Sequence, residues 1–252
     1  MSVRPPWSYV QARLQCRHGA RLADGDWRAL EAARSLDRFI DRARATSLQR
    51  FVEPLNTSMN SHAIERVLRT GWRGCVGEVA SWSGARWRPA ILWVQVVPDL
   101  PAIDALLKGG TPRWVEHDLL LRTILEGNRA TAPVTFPHAA LLPAPLRERT
   151  LVARWYAHWR ELLPARGDER RALLALAEAV EAHGERLALA GPSDKSASYH
   201  AALAQTAART FRRHSGTPVA VFCHLVLVAL DLARLRGGLV RRALFEPARE
   251  AA

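Results

Sequence analysis

Apolar residues recur along this chain at intervals of three and four, and no stretch alternates apolar and polar positions as a half-buried strand does. The pattern predicts an all-α protein. "SYVQARLQCRHGARL", from Ser8 to Leu22, reads as an opening helix. Asp24 suits the cap of a short helix carrying Trp27 and Leu30, and Ser35 the cap of the next, where Leu36, Phe39, Ile40 and Ala43 share one face. "TSLQRFVEPL" is a turn with a short helical piece that ends at Pro54. Asn60 or Ser61 opens a longer helix with Ile64, Val67, Leu68, Trp72, Val76 and Val79 on one side. Gly71, Gly74 and Gly77 inside it point to close helix packing. Pro89 suits a helix start, Pro98 and Pro101 should kink or split that helix, and Gly109 with Gly110 ends it. Thr111 and Pro112 suit the cap and first turn of another.

Residues 128–145 hold Pro133, Pro137, Pro143 and Pro145 and form the natural boundary. The organisation expected is therefore an N-terminal helical part over 1–127, a Pro-rich linker over 128–145, and a C-terminal helical part over 146–252. The second half resumes with Val152, Trp155, Tyr156, Trp159, Leu162 and Leu163 in a regular apolar stripe. Helices follow around 168–189 and 193–210, and a last one runs from about Thr217 to Phe245. Its most apolar run, Pro218 to Leu230, is too short to span a bilayer and reads as a buried helix. Two segments echo each other. "PDLPAIDALLKGG" carries Asp99, Leu100, Ile103 and Leu107, and "LDLARLRGGLVRR" carries Asp231, Leu232, Leu235 and Leu239 at the same spacing. Each follows an apolar helical segment with a proline near its start, which suggests two copies of a helical module.

Charge changes the picture less than its size suggests. Net charge is +12, from 36 basic and 24 acidic residues. Only Lys108 and Lys195 are lysines, and the arginines are spread along the chain with no block of like charge. They read mostly as solvated helix faces. Cys16, Cys75 and Cys223 are far apart and make no CxxC pair, so reduced structural cysteines are expected. No signal-peptide pattern opens the chain. Phosphate-binding glycine loops, HExxH, GxSxG and EF-hand loops are all missing. Cys16 and His18, two apart on a helix, point in different directions and make no metal site. His224 reads as a core histidine bonded to backbone. The scattered carboxylates single out no catalytic pair, so no catalytic, cofactor or metal residue is assigned. Trp72, Trp155 and Trp159 lie on apolar stripes and should be core. Trp82 and Trp87 flank the "SGAR" turn and are the tryptophans expected at the surface.

The opening stretch resembles the N-terminal module of the C/d-type family of V/A-type rotary ATPase components, the non-catalytic proteins that join the central shaft to the rotor ring. The matching residues are Tyr9, Arg13, Arg17, Leu22, Asp26, Trp27 and Leu30, then Leu36, Ile40, Thr46 and Leu48, over Ser8 to about Val52. The two echoing segments stand where that family's modules close with an acidic residue and a basic, glycine-containing end. "TFRRHSGTPVAVFCHLVLVAL" is similar to the approach to its final module. Relative to typical members the chain is shortened, with 112–210 left for a reduced middle module. The resemblance implies helical modules with an internal repeat and a non-catalytic role, transmitting torque between the central shaft and the membrane rotor ring. A protein of this kind is cytoplasmic and peripheral to the inner membrane. Its partners are the other rotary ATPase subunits, with no nucleic acid and no cofactor. Candidate interface positions are Arg13, Arg17, Arg21, Trp82, Trp87, Asp99, Asp231, Arg234 and Arg236. The alternative is a basic helical nucleic-acid-binding or scaffold protein unrelated to that assembly.

Overall fold

The computed structural model describes residues 7–110, 113–118, 121–122, 150–164, 167–190 and 195–245. These residues form helices and turns, with no strand among them. The α-helices are α1 (Trp7–Gly19), α2 (Asp24–Glu31), α3 (Leu36–Arg44), α4 (Gln49–Val52), α5 (Ser61–Trp82), α6 (Arg88–Trp93), α7 (Leu100–Leu107), α8 (Leu151–Leu162), α9 (Asp168–Ala190), α10 (Lys195–Arg213) and α11 (Pro218–Phe245). Short 3-10 turns cover Val94–Asp99 and Arg113–His117.

Helix ends follow local chemistry. Asn60 accepts the Ala63 amide at 2.9 Å and starts α5. Ser35 is the N-cap of α3, its hydroxyl bonded to the Asp37 carboxylate. Ala23, not Asp24, occupies the cap of α2, and its amide is held by Asp26 at 3.0 Å. The expected helix around Pro89 is divided in three. Pro98 lies in the 3-10 turn and Pro101 opens α7, because a proline supplies no amide to an interior turn. Gly109, at φ 85°, then closes α7, with Gly110 donating to the Ala105 carbonyl and Gly109 to that of Leu106. Helix α1 stops at Gly19, three residues short of the expected Leu22. Val152 turns outward on α8, and Leu151 takes the buried place expected for it. Thr111, Pro112 and the expected boundary over 128–145 lie outside the described residues.

Helix α11 is the axis. Its first eight residues, from Pro218 to Leu225, are buried without interruption, and apart from His224 they are apolar on every side. Beyond Val228 only the stripe of Leu232, Leu235, Leu239 and Arg242 stays inside. Helices α1, α3, α5, α9 and α10 all pack against α11. The N- and C-terminal parts therefore share one hydrophobic core, in which α11 fills the N-terminal half. Two stretches, Arg88–Leu107 and Pro218–Phe245, are long and apolar enough to cross a membrane, and half or more of each apolar window is buried in this core.

Small residues set the closest contacts. A Cβ on Gly238 of α11 would stand 2.5 Å from the Phe39 ring, and one on Gly71 of α5 would stand 2.9 Å from Phe51. Of the three glycines in α5, Gly71 is the tightly packed one, and Gly74 faces open space. Across the undescribed middle, Trp93 of α6 and Trp155 of α8 each donate their indole N–H to the other's carbonyl, at 3.1 and 3.3 Å.

Candidate interface at the basic end of α1 and α5

Most of the described arginines are exposed, as expected of solvated faces, but several are used inside the molecule to join helices. Arg21, just past the end of α1, forms a two-pronged pair with Asp231 of α11 at 2.7 and 2.8 Å. Arg234 does the same with Glu31 of α2 at 2.6 and 2.8 Å, its guanidinium lying over Trp27. The Arg234 hydrogen bond holds the Glu31 carboxyl below its ordinary range. Arg242 is buried and donates to the carbonyls of Glu31, Ala33 and Gly238, closing the C-terminal end of α2. These clasps hold α1 and α2 onto α11.

A second group is a buried ion cluster. Asp99, before α7, and Asp118, after the second 3-10 turn, are 0% and 3% exposed. Arg73 of α5 reaches Asp99 at 2.7 Å and Asp118 at 3.4 Å, and Arg69 stands 3.7 Å from Asp118. Burial pushes the Arg69 guanidinium down, and the two carboxylates oppose that. Two carboxylates facing two guanidiniums balance in charge, which is the arrangement that makes buried ions tolerable. Asp99 therefore has no solvent face to offer a partner.

Beside this cluster an open cavity of about 530 Å³ lies between α5, α7 and α11. Its walls include Pro101, Ala102 and Ala105 on one side and Ala229, Leu232 and Ala233 on the other, so the two echoing segments face each other across it. Arg236 pairs with Glu65 at 2.5 Å, and both residues line the cavity. The echo is not a structural repeat of its aspartates: Asp99 precedes a helix, whereas Asp231 sits inside one.

The remaining candidates converge. Trp82, at the end of α5, is 6% exposed rather than at the surface, because arginines cover it. The Arg17 guanidinium lies 4.5 Å from its ring centre and that of Arg13 lies 4.9 Å away. Arg13 also lies 4.9 Å from the ring of Tyr9, a half-exposed aromatic one turn earlier. Arg17 bonds Glu78 at 2.5 Å, and Arg50 of α4 approaches the same carboxylate at 3.7 Å. Burial pushes the Glu78 carboxyl up, but the Arg17 hydrogen bond and the charges of Arg17, Arg50 and Arg13 outweigh it, so Glu78 is held ionised. Two guanidiniums thus share one carboxylate, and Arg13 lies beside them over the Trp82 ring. Among the described residues no carboxylate is within ion-pair reach of Arg13. Trp87 is half-buried at the start of α6 and packs on the core.

Behind this face lies His224 of α11, 1% exposed, with neither ring nitrogen bonded. That corrects the expectation of a backbone-bonded histidine. Burial, and then the charges of Arg17, Arg50 and Arg21, push it down to about 3, so it is neutral. Burial also pushes the Cys75 thiol up, which leaves it unreactive. Cys16 is exposed, while His18 stacks on Phe211 of α10, so the two point apart as their spacing predicts. Among the described residues no group of three or more histidine, cysteine or carboxylate side chains is placed to hold a metal. Arg50, Glu78 and Asp118 are the residues sequence reasoning missed. Glu78 carried a hint, being a carboxylate one turn before Trp82 on the arginine-facing side of α5.

No family model, curated protein or solved structure matches the chain.

Proposed function

We propose that this chain is a non-catalytic helical component that works by docking an acidic protein partner on the face made by Arg13, Arg17, Arg50 and Tyr9. In its finer form, which rests on the resemblance of the opening 45 or so residues, it couples the central shaft to the rotor ring of a V/A-type rotary ATPase-like complex. It would sit in the cytoplasm, peripheral to the inner membrane. One observation carries the docking reading: three guanidiniums are gathered on one face, Arg17 and Arg50 on the single Glu78 carboxylate and Arg13 with Arg17 over Trp82, with no carboxylate on Arg13 among the described residues. Arginine beside tyrosine and tryptophan is the composition that dominates binding energy at protein interfaces. The non-catalytic part is supported by Asp99 and Asp118, which face arginines instead of the cavity. Base stacking is disfavoured because Arg13 and Arg17 already cover Trp82, leaving it 6% exposed.

Affinity purification of the tagged full chain from membrane and soluble fractions of its own cells tests this. The expected outcome is stoichiometric recovery of shaft and rotor-ring proteins. Recovery of the chain alone, or with nucleic acid and neither of those proteins, overturns the proposal.

A further inference from the structure

Away from that face, α9 and α10 pack along each other, and their contact contains a pair of histidines. His183 lies in the second half of α9 and His200 in the second turn of α10. Their ring centres are 4.9 Å apart and the ring planes are inclined at 60°. This separation has a chemical meaning. With a metal–nitrogen bond of about 2.0 Å and about 1.1 Å from nitrogen to ring centre, two imidazoles on one tetrahedral ion bring their centres to about 5 Å.

We propose that His183 and His200 form a two-histidine site for a divalent transition-metal ion of the Zn²⁺ type, clamping α9 to α10. Both are half-buried, and the Nδ1 atom of His200 is enclosed with no hydrogen-bond partner. Burial pushes both histidines down, and for His183 the neighbouring His200 and Arg186 push further, so both lone pairs are available at neutral pH. The Tyr199 backbone, next to His200, opposes part of the downward push on His183. Imidazole nitrogen selects Zn²⁺, Cu²⁺ or Ni²⁺ over Mg²⁺ and Ca²⁺. With two protein ligands, water or an outside donor completes the coordination.

The test is a calorimetric titration of the metal-stripped full chain with ZnCl₂, alongside thermal melts. One ion per chain should bind, and the melting temperature should rise with free Zn²⁺ above the dissociation constant. His183→Ala and His200→Ala should each weaken binding by about tenfold or more, and MgCl₂ should give no shift. His158→Ala, which removes the exposed His158–Glu161 pair, should leave binding unchanged. Independently of any variant, Zn²⁺ should protect His183 and His200, but not His62, from diethyl pyrocarbonate in the wild-type protein. Zn²⁺ binding that survives both substitutions, no binding at all, or equal labelling of the pair with and without metal overturns the proposal.

Discussion

Replacing Arg242 by leucine should be among the most damaging single changes in the C-terminal helix. The buried guanidinium donates to Glu31 at 2.8 Å, to Ala33 at 2.9 and 2.5 Å, and to Gly238 at 2.8 Å. It also lies 4.2 Å from the centre of the Phe39 ring. Leucine keeps the apolar stem and the helix but none of the donors. Gly238 lies within α11 and has its own helical partner. The carbonyls of Glu31 and Ala33 lie at the end of α2 and depend on Arg242. Leaving the buried Ala33 acceptor unbonded costs about 1–3 kcal/mol and the part-buried Glu31 acceptor about 1 kcal/mol, and losing the ring contact about 0.5–2 kcal/mol. Better burial of leucine offsets part of this, so a net loss of about 3 kcal/mol is expected. Urea unfolding followed by circular dichroism should show a lower midpoint with an unchanged slope. Arg242→Lys, a single point donor, should fall between the two. Exposed Arg241→Leu should stay within about 0.5 kcal/mol of wild type. A loss below about 1 kcal/mol for Arg242→Leu, or one no larger than that of Arg241→Leu, would refute the reasoning.

Other outcomes follow from the same geometry. Gly238→Ala should destabilise by about 1–3 kcal/mol because its Cβ meets Phe39, whereas Gly74→Ala, in open space, should be neutral or stabilising by up to about 1 kcal/mol; paired urea midpoints check both. His224 has a folded value of about 3 against an ordinary 6.5, so the unfolded chain takes up a proton that the folded chain refuses as pH falls below 6.5. Stability from this group is full above about pH 6.5 and falls by about 1.4 kcal/mol per pH unit on acidification, roughly 2 kcal/mol by pH 5. His224→Leu should flatten that slope in midpoints measured from pH 7 to 5, although His18, His183 and His200, which burial also pushes down, keep some of it; an unaltered slope would count against a neutral His224.

Helix positions were legible because their signals are local. The Asn60 cap, the Pro98 and Pro101 break, and the apolar run from Pro218 act within a few residues, and each helix formed near its expected bounds. The arginines were not legible, because a solvated guanidinium and one that closes a distant helix look alike in sequence. Arg21 and Asp231 are 210 positions apart, and only the fold joins them. One trace was present: Arg242 continues the stripe of Leu235 and Leu239 by three residues, so it points inward. The basic face was half visible. Arg13, Arg17 and Trp82 stood among the candidates, but Arg50 and Glu78 join them only through the packing of α4 and α5 against α1. Trp82 was misplaced for the same reason, since the turn after it is exposed while its ring is roofed by arginine.

The most direct test of the docking claim is charge reversal on that face. Arg13→Glu with Arg50→Glu leaves the Arg17–Glu78 bond and the core intact. In the affinity purification, partner proteins recovered with this double variant should fall about tenfold or more, with the melting temperature close to wild type. Undiminished recovery with a folded double variant would contradict the account.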